Sequence, residues 1–214
     1  MGAVETQAET VKLAMAPGVT LWRGKLDAKA QRALLDDVLA RINEAPFYRP
    51  RMPKSDAAFS VEETNFGPLG WYSDRSGYRY VATHPATGKP WPAIPPLLLA
   101  LWDETTGYGA PPECCLVNLY RGGAKMGLHQ DRDEEAMDAP VLSVSLGDDA
   151  LFRIGGVTRK DPTRSLKLVS GDALTFGGPA RLAFHGIDRV LGGTSALIPG
   201  GGRVNLTLRR VRPK

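Results

Sequence analysis

The run Arg203-Val204-Asn205-Leu206-Thr207-Leu208-Arg209-Arg210 alternates polar and apolar residues almost to its end. In an extended chain successive side chains point to opposite faces. Arg203, Asn205, Thr207 and Arg209 therefore share one face, and Val204, Leu206 and Leu208 the other. Two readings are open. In an exposed edge strand, basic residues resist edge-to-edge aggregation. In an interior strand with its apolar face under helices, two arginines point into the domain, where a guanidinium is costly unless a carboxylate answers it. A dicarboxylate small molecule would satisfy both arginines.

Further β-prone runs stand N-terminal to this one, at 115–120, 141–146, 151–154, 166–169, 173–176 and 182–185, with the last strand expected over 203–211. Each is short and bounded by Gly, Pro or Asp, a pattern that predicts a sandwich or jelly-roll barrel in the C-terminal half. The run 115–120 sets Asn118 and Tyr120 on one face. They either offer an amide and a phenol to the arginine pocket or lie on the surface.

Two helices are expected ahead of the strands. From Asp27 onward Leu34, Leu35, Val38, Leu39 and Ile42 recur at helical spacing, and the pattern stops before Pro46. A second helix starts at Pro95-Pro96, runs through Leu97, Leu98, Leu101 and Trp102, and ends at Gly107. Between them, residues 47–92 carry Phe59, Phe66, Trp71, Tyr72, Tyr78, Tyr80 and Trp91 among Gly, Pro, Ser and Arg without a sustained period. That composition suits a lid of loops or short hairpins carrying binding groups. His84, beside Pro85, is expected in solvent. The fold class is mainly β with flanking helices (α+β), in one domain spanning 1–214: an N-terminal extension and helix (1–46), a lid (47–92) and a β core (93–214).

The chain has 214 residues, 43% of them hydrophobic, enough for one sizeable core. Its 27 Lys and Arg against 23 Asp and Glu leave a net charge of +4, compatible with a polyanionic partner without requiring one. The basic end, Arg209 to Lys214, is equally a solvated tail. Two adjacent cysteines, Cys114 and Cys115, make no disulfide framework and favour a reducing compartment. Residues 1–17 lack the basic-then-apolar order of a signal peptide. The apolar stretch 94–102 is interrupted by prolines and falls far below the roughly 18 residues needed to span a bilayer. A soluble, cytoplasmic monomer without membrane attachment is expected.

His129-Gln130-Asp131 places two candidate ligands at i and i+2, on one face of an extended chain. His185, expected at the end of the strand 182–185, is the candidate third ligand. Two histidines and one carboxylate leave coordination positions open for a co-substrate and dioxygen, the set used by non-haem Fe(II) oxygenases. Taken singly, His-x-Asp arises by chance, and a distal histidine is more often a hydrogen-bonded structural residue. Trp71 and Tyr78 alone would be read as packing aromatics.

Taken together and in order, Asn118-Leu119-Tyr120, His129-Gln130-Asp131-Arg132-Asp133, Phe184-His185-Gly186-Ile187 and 203–209 resemble the bacterial branch of the AlkB-type Fe(II)/2-oxoglutarate dioxygenases. Thr64-Asn65, Gly70-Trp71, Gly77-Tyr78, Lys89-Pro90-Trp91-Pro92 and Gly155-Gly156 through Arg159 extend the similarity over nearly the whole chain. The resemblance implies a double-stranded β-helix core behind a nucleotide-recognition lid. It implies iron on His129, Asp131 and His185, with 2-oxoglutarate and O2 as co-substrates. It assigns 2-oxoglutarate to Asn118, Tyr120, Arg203, Asn205 and Arg209, with Arg203 on the distal carboxylate and Arg209 nearer the metal. It assigns the substrate to Trp71, Tyr78, Tyr80, Asp133 and Arg159. The implied activity is oxidative DNA repair: N-alkyl groups leave 1-methyladenine and 3-methylcytosine as formaldehyde, preferably in single-stranded DNA, with RNA a further substrate class. Glu62-Glu63 depart from the apolar pair of a familiar family member, and acid at that edge is expected to weaken binding of a phosphodiester.

Overall fold

The computed structural model describes residues 10–214; the first nine residues of the expected N-terminal extension, and that part of the signal-peptide reading, lie outside the described residues. In chain order the elements are β1 (Val11–Ala16), β2 (Val19–Arg23), α1 (Ala28–Ile42), β3 (Glu62–Phe66), β4 (Gly70–Asp74), β5 (Gly77–Val81), α2 (Pro96–Thr106), β6 (Cys114–Tyr120) and β7 (Met126–His129), followed by β8 (Val141–Gly147), β9 (Asp149–Ile154), β10 (Arg164–Leu168), β11 (Ala173–Phe176), β12 (His185–Leu191) and β13 (Arg203–Arg209).

Both helices form where their sequence signals stand. Asp27 caps α1 by accepting the Ala30 amide at 2.7 Å, and Leu34, Leu35 and Val38 are its buried face. Proline opens α2, and Gly107 closes it in the left-handed conformation at φ 60°.

The strands make two antiparallel sheets and a hairpin. The major sheet runs β1-β2-β11-β8-β13-β6-β3, the minor sheet β10-β9-β12-β7, and β4 pairs with β5 alone. β13 is therefore interior, laddered on both sides to β6 and β8. Its Val204, Leu206 and Leu208 pack with Leu34, Leu35, Val38, Leu98, Leu101 and Trp102 in one core beneath the helices. A second core, including Val141, Phe152, Leu174, Phe176 and Ile187, lies between the sheets. This two-sheet packing is the jelly-roll expected from the punctuated strands, and it selects the interior reading of the last strand.

Several local expectations are corrected. The strand expected to end at His185 begins there instead. A short turn at Gly178–Ala180 carries Pro179, and buried Arg181 donates to the carbonyls of Ala139 and Asp131, holding the chain ahead of His185 out of the ladder. Gly186 then passes so close to β7 that a Cβ would stand 2.5 Å from the Met126 carbonyl oxygen. β1, β2 and β7 have no counterpart in the sequence reading, and β3 joins the major sheet at its edge. His84 is buried, not in solvent. Its Nε2 donates to Pro46 O at 2.7 Å, and its Nδ1 accepts the amides of Ala86 and Thr87 at 3.1 and 3.2 Å, which closes the turn after it.

Leu206→Ala, at a fully buried position, is expected to lower the unfolding free energy by about 3 kcal/mol. Exposed Leu39→Ala should change it by less than about 0.5 kcal/mol. Urea denaturation of both variants checks the pair.

Candidate active site

Between the sheets opens a cavity of about 820 Å³, lined among others by Asn118, Tyr120, His129, Asp131, His185, Arg203, Asn205 and Arg209. β7 and β12 bring His129 and His185 opposite each other as cross-strand partners, and the chain leaving β7 carries Asp131 beneath them. The candidate ligand atoms of the three residues lie within 4.8 Å of one another. His129 Nε2 stands 3.7 Å from Asp131 Oδ1 and His185 Nε2 3.8 Å from Asp131 Oδ2. These separations are too long for hydrogen bonds and match donors that share one ion at about 2.1 Å from each.

The second ring nitrogens fix the tautomers. Nδ1 of His129 lies 2.9 Å from Gly127 O and Nδ1 of His185 2.9 Å from Ala183 O, so each Nδ1–H donates to a carbonyl and each Nε2 keeps its lone pair for a metal. Burial, with the neighbouring His129, pushes the His185 imidazole down to about 4, so it stands neutral, as a ligand must. Burial drives the Asp131 carboxyl upward, but the guanidinium of Arg209, with that of Arg181, more than offsets this and holds it below the usual carboxylate range. Neutral imidazoles and a carboxylate kept ionised form a donor set that fits a divalent iron.

The polar face of β13 fills the floor. Arg203 is fully buried; its Nη2 donates to Ser145 Oγ at 2.7 Å, while Nε and Nη1 have no partner. Arg203 lines the same cavity as Tyr120 and Asn118, and two unanswered N–H groups there are the fork a carboxylate fills. Asn205 reaches the cavity with its donors engaged, at 2.8 Å to Ser143 Oγ and 3.0 Å to Val144 O. Arg209 spends its fork on the metal ligand, donating to both Asp131 oxygens at 2.8 and 3.0 Å.

At the mouth, Trp71 and Tyr78 stack with ring centroids 5.5 Å apart and 21° between planes. Trp71 Nε1 donates to Asp133 Oδ2 at 2.9 Å, and Arg159 donates to Leu128 O at 3.1 Å on the same rim. Tyr80 is not brought into the cavity; it packs beside Leu69 and Trp71 and its hydroxyl donates to buried Glu134. Sequence reasoning missed Phe59 in this wall, and Glu134 and Arg181, whose ion pair at 3.0 Å braces the ligand loop. The signal for that pair was present in Asp131-Arg132-Asp133-Glu134, an acidic run too dense to be wholly solvated beside two interior arginines.

Mn(II), used as a redox-quiet probe, is expected to bind the wild type and to raise its melting temperature, and Asp131→Ala or His185→Ala should abolish both effects. Arg209→Gln leaves the ligands in place but unbraced and should weaken Mn(II) about 10- to 100-fold by calorimetry.

Comparisons with known proteins agree with this geometry. The model of the 2OG-Fe(II) oxygenase superfamily matches residues 18–209. The alpha-ketoglutarate-dependent dioxygenase AlkB homolog of Caulobacter vibrioides (strain NA1000 / CB15N) is 60% identical over 202 residues, covering 94% of this chain and 90% of that protein. The alpha-ketoglutarate-dependent dioxygenase AlkB of Escherichia coli (strain K12) is 39% identical over 211 residues, covering 97% and 96%. The solved structure of OsALKBH1 superposes with a TM-score of 0.78 at 30% identity, over 94% of this chain and all of that one, 100%. The chain therefore belongs to the AlkB family of the 2OG-Fe(II) oxygenase superfamily, and is an iron(II)- and 2-oxoglutarate-dependent dioxygenase with His129, Asp131 and His185 as its metal-binding triad.

Proposed function

We propose that this dioxygenase is an oxidative DNA repair enzyme that removes N-alkyl groups from 1-methyladenine and 3-methylcytosine, preferring single strands and extending to RNA. The observation that carries the reading is the aromatic platform of Trp71 on Tyr78, braced by Asp133, in the same cavity as the metal-binding His129. A base taken out of its stack needs such a π surface. In this reading it enters between Trp71 and the His129 ring. Asp133 keeps one carboxylate oxygen beyond its bond to Trp71, and that oxygen accepts the exocyclic amino group. Its charge favours a cationic lesion over a normal base. Methylation at the pairing edge also removes the Watson–Crick partner and lowers the cost of flipping. Lys125, Arg132 and Arg159 on the rim supply positive charge for phosphates.

Arg203 and Tyr120 hold the distal carboxylate of 2-oxoglutarate, Asn118 lies along its length, and Asn205 ties the floor together. Arg209 acts one step back by keeping Asp131 ionised and oriented. Iron(II) with 2-oxoglutarate and dioxygen supplies the oxidant that puts a hydroxyl on the N-alkyl carbon, leaving succinate and carbon dioxide. The hydroxymethyl group on a base nitrogen then departs as formaldehyde; the nitrogen keeps the C–N electron pair and the hydroxyl proton passes to water. No helix among the described residues is long and apolar enough to cross a membrane, and the enzyme is read as a cytoplasmic monomer.

The acid pair at 62–63 takes a different place from the one expected. Glu63 is fully buried in the cavity wall, and Glu62 faces Arg49 at 3.5 Å, so the pair does not present two free charges to a phosphodiester.

Methylated single- and double-stranded DNA and RNA, incubated with the Fe(II)-loaded protein, should release equal amounts of succinate and formaldehyde from 1-methyladenine and 3-methylcytosine, most from single-stranded DNA. Binding without either product would instead make the chain a nucleic-acid binding module. Trp71→Ala is expected to raise the KM for the oligonucleotide tenfold or more while slow substrate-free turnover of 2-oxoglutarate persists. Equal loss of both would put Trp71 in the scaffold.

A further inference from the structure

One rung of the major sheet crosses four strands: Glu63 on β3 faces Asn118 on β6, Asn118 faces Asn205 on β13, and Asn205 faces Ser145 on β8. Cross-strand partners share a face, and Glu63, Asn118 and Asn205 all line the cavity. At the β8 end the rung is satisfied, since Ser145 Oγ accepts Arg203 and Asn205 donates to Ser143 and Val144. At the β3 end it is not. Both carboxylate oxygens of Glu63 and Oδ1 of Asn118 are buried with no partner. Three adjacent acceptors without a donor are costly, and one proton on the carboxyl supplies the missing donor.

We propose that Glu63 is a buried neutral acid that donates its proton to Asn118 Oδ1, turning the Asn118 amide N–H groups toward 2-oxoglutarate. Glu63 is thereby a positioning residue for the co-substrate, and it makes co-substrate binding sensitive to alkaline pH. The inference rests on 2-oxoglutarate lying between Arg203 and Asn118.

The electrostatics agree with this geometry. Burial pushes the Glu63 carboxyl up to about 8, against the opposing pull of Arg209 on β13. The other titratable groups that feel its charge are Tyr120 on β6 and Tyr48 in the loop before β3, phenols that burial raises further and that stay neutral in this range. Below about pH 8 the acid is protonated and the donor present. As pH rises through that value the donor is lost, and an anion faces both Asn118 Oδ1 and a dicarboxylate ligand. Turning the Asn118 amide over would satisfy an ionised Glu63, but it would aim an amide oxygen at an anionic co-substrate and predicts no pH dependence there.

The test is equilibrium binding of 2-oxoglutarate to the whole, Mn(II)-saturated protein from pH 6.5 to 9, read by calorimetry and tryptophan fluorescence. In the wild type the Kd should be level up to about pH 7.5 and climb toward tenfold per unit above 8. Glu63→Gln, which keeps a donor but has no proton to lose, should rescue wild-type binding at pH 7 and remain flat to pH 9. Glu63→Met should bind roughly tenfold more weakly at pH 7 and also be flat. A flat wild-type profile, or a Glu63→Gln profile that climbs like the wild type, overturns the role of Glu63. Arg203→Met separates the two layers: unchanged binding in that variant overturns the placement of the co-substrate itself.

Discussion

The paired fork of Arg209 on Asp131 is the contact on which the site depends. Asp131 is buried, and a buried carboxylate without a counter-charge takes up a proton and ceases to be a ligand. Arg209 prevents this with two hydrogen bonds, and it can do so because β13 is interior and turns its polar face to the cavity. The arginine is itself stabilised in burial by Asp131 and Glu134, and Glu134 is shared with Arg181, whose other bonds hold the backbone carbonyls of Asp131 and Ala139. Removing any one of these charges strands another. The result is a ligand whose charge state and direction are both set by the sheet before a metal arrives.

That network explains why so much of the core was legible from sequence. Each polar residue of β13 that lines the cavity sits at a period-two position, where the solvent-averse face and the chemical face separate cleanly. The alternation put Arg203 and Arg209 on one face and Val204, Leu206 and Leu208 on the other but left an exposed edge strand open, and the packing of the apolar face beneath α1 and α2 decides for the interior. The same period put Asn118 and Tyr120 on one face of β6 without saying whether it was inward or on the surface, and the structure turns that face to the cavity. His129 and Asp131 stand at a spacing that chance also supplies, and only the set of motifs taken together marked them; their meeting with His185 is long-range, since β12 places His185 across from His129 and no local pattern encodes that pairing.

Where the reading failed, tertiary contacts overrode local pattern. Residues 182–184 look β-prone, but the hydrogen bonds of Arg181 hold the chain before His185 out of the ladder. His84 beside a proline looks like a loop residue in water, yet its ring staples a turn beneath Tyr48 and Trp91, at ring distances of 5.5 and 5.1 Å. Tyr80 shares its face of β5 with Tyr78, and that period made it look like a cavity residue, yet its ring lies over Cys114, Leu116 and Val211 and its hydroxyl meets Glu134 outside the cavity lining. Glu63 carries no local mark at all, because a glutamate on an edge strand is ordinarily solvated. Only the pairing of β3 to β6 reveals its burial against Asn118.

The two halves of the site also differ in how far their chemistry constrains them. The metal-binding histidines stand on the laddered strands β7 and β12, the proposed co-substrate residues on β6 and β13, and Asp131 is clamped to β13 by Arg209, so backbone hydrogen bonds limit how far these donors can shift. The Trp71–Tyr78 stack stands on β4 and β5, a hairpin laddered to neither sheet, and meets the rest of the domain through Trp71 to Asp133, Tyr80 to Glu134, Asn65 and Tyr48 to the Trp71 backbone, the Arg51 amide to the Ser73 carbonyl and the Trp91 indole to the Val81 carbonyl. A two-stranded unit has little stability of its own. Its position therefore depends on those contacts, two of which end on the acidic run that carries Asp131.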